Sequence, residues 1–107
     1  MNSKLLSLLG LAKKAGRLAL GHDAVLEAIG KHKAELVLLS ADASARLERE
    51  VKREVTFQNS KATVIRMEET MADTGRALPH KVGVVSVNDA SFAAAMKNIM
   101  EEADTNG

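Results

Sequence analysis

Glu35-Leu36-Val37-Leu38-Leu39-Ser40-Ala41-Asp42-Ala43-Ser44 is the stretch on which the fold turns. Its first half is apolar without alternation, the pattern of a strand covered by helices on both faces. Its second half offers Ser and Asp side chains as caps for a helix that follows at once. The strand is therefore expected near the centre of a sheet. Downstream, Leu47, Val51 and Val55 step by four through a highly charged segment, which predicts a surface helix with one narrow apolar stripe, ended by Asn59 and Ser60. Upstream, Val25, Ala28 and Ile29 form a helical stripe that stops near Gly30. Arg17-Leu18-Ala19-Leu20 precedes it as a short extended run, joined through a tight turn at Gly21. Before that, Leu5, Leu8, Leu9 and Ala12 mark a first helix, with Asn2 or Ser3 to cap it and Gly16 to stop it.

The rest of the chain continues the alternation. Ala62-Thr63-Val64-Ile65-Arg66 reads as a strand, and 67–76 as a short helix that turns Met71 and Ala72 inward before Pro79 forbids continuation. Lys81 to Val87 is the last strand. Asn88 or Asp89 caps a final helix with Phe92, Met96, Ile99 and Ala103 on one face, and a tail over 103–107 is expected to fray. Strands alternating with helices predict an α/β protein, a three-layer α-β-α sandwich with a mostly buried four-stranded mixed sheet. The 107 residues are expected to form a single domain, 1–107, without repeat or linker.

Composition narrows the function. Hydrophobic residues make up 46% and charged residues 27%, as in a folded protein and unlike a disordered one. Absence of Cys removes disulfides, thiolate zinc sites and Cys nucleophiles together. The longest apolar runs fall far short of a membrane span, and residues 1–10 lack a cleavage site, so a cytoplasmic protein without membrane attachment is expected. A formal charge of +1 excludes a uniformly basic binding mode, but the charge is unevenly spread. Residues 1–33 carry Lys4, Lys13, Lys14, Arg17, Lys31 and Lys33 against Asp23 and Glu27, a balance of +4 that leaves −3 for the remainder. Such an asymmetry suggests one electropositive end able to meet phosphates.

The glycines at 16 and 21 have the spacing of a nucleotide P-loop, but His22-Asp23 stand where that motif needs Lys and Ser or Thr, so it is rejected. What remains is a glycine that permits close backbone approach, followed by helix amides that attract an anion. His22, His32 and His80 show no ligand spacing, so no metal and no cofactor is expected. No nucleophile elbow or catalytic triad pattern is present, and Glu68-Glu69 are expected to face solvent, which argues against an enzyme. Phe57 and Phe92 both fall on apolar stripes, leaving no aromatic platform for single strands. Any RNA would then be read through backbone shape and a few base edges, which favours a structured target.

Leu9-Gly10-Leu11-Ala12-Lys13-Lys14-Ala15-Gly16-Arg17-Leu18, then Gly21-His22-Asp23-Ala24-Val25, then 34–44 resemble the kink-turn-binding ribosomal protein superfamily of the seven-Ae and thirty-e large-subunit type. Within it the chain is most similar to the bacterial YlxQ-like branch. The likeness spans nearly the whole chain, with Gly75-Arg76-Ala77 and the strand from Val82 to Val87 at the places of the family's late helix and last strand. The resemblance implies a non-catalytic sandwich that grips a kink-turn, where sheared G·A pairs expose guanine edges and phosphates crowd together. The family motif Gly-x-Asn-Glu-x-x-Lys is matched at Gly21, while Asp23, Ala24 and Glu27 stand at its Asn, Glu and Lys. By position, the resemblance implies RNA contacts from Lys13, Lys14, Arg17, Gly21, His22, Asp23, Asp42, Lys81 and Val82. The expected partner is structured RNA, of kink-turn or ribosomal type, with association to the ribosome. A protein-interaction module of the same fold that has lost kink-turn recognition is the alternative.

Overall fold

Two interior strands organise the molecule. The computed structural model describes residues 2–106, with side chains to Glu102. Its strands are β1 (Leu18–Leu20), β2 (Leu36–Leu39), β3 (Thr63–Arg66) and β4 (Val84–Val87), in sheet order β1-β4-β2-β3. β2 pairs parallel with β3, and β4 runs antiparallel to both β1 and β2, so the four-stranded sheet is mixed. Every residue of β2 and β4 is buried, as the unbroken apolar run of β2 predicts, whereas the edge strands β1 and β3 are partly exposed.

Alternation along each strand sends side chains to opposite faces. Leu36, Leu38, Val85 and Val87 pack with Leu5, Leu9 and Met96 of helices α1 (Ser3–Lys14) and α5 (Ala90–Asn106). Val37, Leu39 and Val84 pack on the other face with Val25, Ile29 and Val51 of α2 (His22–Gly30) and α3 (Ala45–Phe57). The result is the α-β-α sandwich. Leu9 and Leu36 are wholly buried, so cutting either to Ala would cost about 2–5 kcal/mol in transfer and cavity terms.

Helix ends follow local chemistry. Asn2 caps α1, Ser44 caps α3 and Asp89 accepts from the Phe92 amide at the start of α5. Three helices close through a left-handed residue at Gly16, His32 and Asn59, each followed by an amide that returns to the carbonyl five residues back, in Schellman fashion. α2 ends at Gly30 as its stripe predicts, and the left-handed residue that closes it is His32.

Four expectations need correction. The helix over 67–76 shrinks to α4 (Met71–Thr74), held by a Thr70–Asp73 capping box, and buries Thr74 while Ala72 is exposed. The last strand begins at Val84, because Gly83 only lends its carbonyl to the Ser40 amide. Glu69 is buried instead of solvated, since its carboxylate accepts the Asn2 amide at 2.6 Å and ties the start of α1 to the end of β3. Phe57 is 80% exposed: it follows Val55 by two residues, about 200° around the helix, and so leaves the stripe that buries Val51. Of the segment expected to fray, 103–107, the backbone to Asn106 continues α5; Gly107 and the side chains of the segment lie outside the described residues.

Candidate functional site

Strand direction divides the sheet into two ends. β1, β2 and β3 point the same way and β4 opposes them, so the turns after β1, β2 and β3 meet the loop before β4 at one end. Gly21, His22, Asp23, Asp42, Lys81 and Val82 all fall there. At the β1–α2 turn, the Gly21 amide donates to the Val84 carbonyl, and Gly21 adopts φ +89° and ψ 168°. That region is open essentially to glycine alone. Gly21 also serves as the N-cap without a side chain, so the first amides of α2, at His22, Asp23 and Ala24, lack both an intrahelical acceptor and a capping oxygen. They point out of the sheet end beside the fully exposed Asp23 carboxylate.

His22 bridges the two helices on this face. Its Nε2 lies 2.6 Å from Glu50 Oε2 of α3, and its Nδ1 lies 2.9 Å from Asp23 Oδ1. The Asp23 carboxylate, and next the Glu50 carboxylate, raise the His22 pKa above its usual value. Arg46 closes the network by donating Nε–H to Glu50 at 3.1 Å. Asp42, in the β2–α3 loop, accepts the Met71 amide at 3.0 Å, and that bond holds its carboxyl below the usual range. The aspartate is thereby both charged and oriented.

Arg66 fixes the loop that carries Asp42. It ends β3 directly beside Leu39, and its Nη1 lies 3.1, 3.2 and 2.9 Å from the carbonyl oxygens of Ser40, Ala41 and Ala43. Glu48 grips the same guanidinium from α3. Sequence reading missed this residue, because its role follows only from the parallel pairing of β2 with β3. Lys81 is exposed beside Gly75, and Val82 is half-buried on the core shared with α1 and α5.

Lys13, Lys14 and Arg17 lie elsewhere. Arg17 stands before β1 and accepts the Asn88 amide on its carbonyl, at the opposite end of the sheet from Gly21 and roughly 13 Å away along the strand. Its guanidinium is 4.0 Å from Asp89. Lys13 joins Lys31 and Lys33 around a shallow groove along edge strand β1, and Lys14 lines a different groove with Arg76. The nine expected contact residues thus form one cluster of six and a separate basic end of three. Among the described residues, no group of three or more His, Cys, Asp or Glu side chains could hold a metal ion, and no helix is long and apolar enough to cross a membrane.

A glycine turn opening a helix, flanked by two loops at one end of an α-β-α sandwich, brings backbone amides and short polar side chains together on one surface. The model of the ribosomal protein L7Ae/L30e/S12e/Gadd45 family matches residues 3–96, and the chain belongs to that family. A solved protein of unknown function from Bacillus halodurans is similar, with 29% identity and a TM-score of 0.80 over 92% of this chain and 98% of its own. The Giardia lamblia 15.5kD RNA binding protein shares the fold at 19% identity and a TM-score of 0.65, over 98% of this chain and 92% of its own. No curated protein sequence matches the chain.

Proposed function

We propose that this protein binds structured RNA without catalysing a reaction, and that its target is a kink-turn. The observation that carries the reading is the convergence, at one sheet end, of the unengaged α2 amides, the exposed Asp23 carboxylate and the Lys81–Val82 loop. Family membership and the fold shared with an RNA-binding protein support it. In this reading Gly21 lets the RNA backbone approach closely, and the amides of His22 to Ala24 take a phosphate. Asp23 accepts from a guanine imino or amino edge, Asp42 borders the bend, Lys81 holds a phosphate and Val82 packs on the bent stem. Lys13 and Arg17 meet phosphates of a stem that continues along edge strand β1, and Lys14 meets one from the groove it lines with Arg76. The reading extends to a role in a cytoplasmic ribonucleoprotein, the ribosome included, which membership of a ribosomal protein family supports.

The test is a gel-shift titration with labelled kink-turn RNA in magnesium, beside the same RNA with Watson–Crick pairs in place of its G·A pairs. Tight binding to the first alone is expected. Equal, weak and salt-sensitive binding to both would reduce the site to a basic patch and refute kink-turn recognition. Co-sedimentation with ribosomal particles then reads the ribosomal part of the proposal.

A further inference from the structure

Helix α3 presents a face that the site above does not use. Arg46, Arg49, Arg53 and Phe57 recur at spacings of three and four on the side away from Leu47, Val51 and Val55. Arg49 and Arg53 are exposed and carry no ion pair among the described residues. Phe57 ends the row, and with Lys52 and Thr56 these residues line one open apolar-floored groove. The row starts at the candidate site, because Arg46 and Glu50 form one network with His22.

From this juxtaposition we propose that the outer face of α3 is a second nucleic-acid contact, which takes an unpaired RNA strand leaving the bound structure, with a base stacked on Phe57 and phosphates on Arg49 and Arg53. The proposal rests on the RNA-binding reading and extends it. Charge and area choose this occupant. A second copy of the chain would bring like-charged arginines together around two aromatic rings, which bury only about 300–500 Å² between them. A stable protein interface needs about 1,200–2,000 Å². A polyanion with planar bases matches both features at once, since any base offers a face for stacking and each phosphate neutralises a cation. From the loop end to Phe57 the 13 residues of α3 span roughly 20 Å, enough for several nucleotides.

Two kink-turn RNAs, one blunt and one with an unpaired extension of about eight nucleotides on either strand, separate this contact from the primary one. Phe57→Ala is expected to weaken binding of the extended RNA roughly 5- to 100-fold and to leave the blunt RNA unchanged. Arg49→Glu with Arg53→Glu should do the same and flatten the salt dependence. Phe57→Trp should retain binding, and because the chain has no Trp or Tyr its fluorescence reports the contact directly. Oligouridine alone should quench it at low salt. That last arm stands even if neither kink-turn RNA binds, an outcome that would refute the primary site only. No quenching together with equal affinity for blunt and extended RNA would overturn the proposal. So would a loss of self-association in Phe57→Ala by sedimentation, which would assign the face to a protein contact.

Discussion

Gly21→Ala tests the turn and the site together. The native φ of +89° and ψ of 168° lie where a Cβ is strained by its own backbone, at a cost of about 1–3 kcal/mol. Nothing adds to that cost from outside, because an added Cβ meets no heavy atom within 4 Å. Alanine also lowers the freedom of the unfolded chain, which offsets a few tenths to about 1 kcal/mol. The net expectation is about 1–2 kcal/mol of destabilisation, or a urea midpoint lower by roughly 1 M. A domain of ordinary stability, about 5–15 kcal/mol, survives this. RNA affinity should fall beyond what unfolding explains, because relaxing the turn re-aims the amides of His22 to Ala24 and the methyl stands in the approach path of the RNA. Gly16→Ala is the control: Gly16 is also left-handed, at φ +72° and with open space around it, but it lies at the other end of the sheet. Urea denaturation followed by circular dichroism gives stability, and gel shift of the folded fraction gives affinity. If Gly21→Ala matches the wild type in stability, the turn does not need glycine; if both variants lose affinity equally, the site is not where Gly21 puts it.

Arg66→Met should cost about 1–2 kcal/mol in urea, because one Nη1 has only two hydrogens for three carbonyls that regain water when it is gone. It should also weaken RNA binding through Asp42, and unchanged affinity would show that the loop keeps its shape unaided. The raised pKa of His22 means that its bridge stabilises the fold fully below about pH 6.5 and that this contribution fades as pH rises through the folded value. The stability difference between wild type and His22→Gln should therefore be larger near pH 6 than near pH 8.5; a constant difference would refute the bridge. Glu48, held at a pKa of about 2 by Lys52 and Arg66, contributes above about pH 4.5 and loses that contribution as pH falls toward 2. Glu48→Gln should unfold less steeply with acid over that window, and identical acid profiles would contradict the pairing.

Much of the fold was legible because burial leaves a period in the sequence. Leu36–Leu39 reads as buried on both faces, and Leu5, Leu9 and Ala12 read as a stripe, because one helix or strand must hide them. Strand order was not legible: nothing local in Val84–Val87 says that it slots between β1 and β2. Glu69 and Phe57 were misread for the same reason in opposite senses. Polarity argued that Glu69 is solvated, yet the free amide at the start of α1 recruits it inward. Hydrophobicity argued that Phe57 is buried, yet two residues past the end of the stripe its ring turns to solvent among arginines.

The candidate site was half legible, and the missing half is geometric. Proximity in sequence suggests that Lys13, Lys14 and Arg17 act with Gly21, but the three-residue strand between them is extended and carries them to opposite ends of the sheet. That separation, roughly 13 Å, exceeds the screening length of about 8 Å at physiological salt, so the exposed cations at one end add little potential at the other. Asp42 and Lys81, far apart in sequence, arrive at the Gly21 end through Arg66, Met71 and the Gly83 carbonyl. A phosphate bound there must therefore be held by what is local: the α2 amides, Lys81 and Arg46 at the start of α3. The same reasoning bears on Glu27, which stands where the family motif has a lysine. Lys31 engages its carboxylate one turn further along α2 and keeps it below the usual pKa range. What this position offers an approaching phosphate is an ion pair and not a bare anion, so the reversal of charge removes one attraction without installing an equal repulsion.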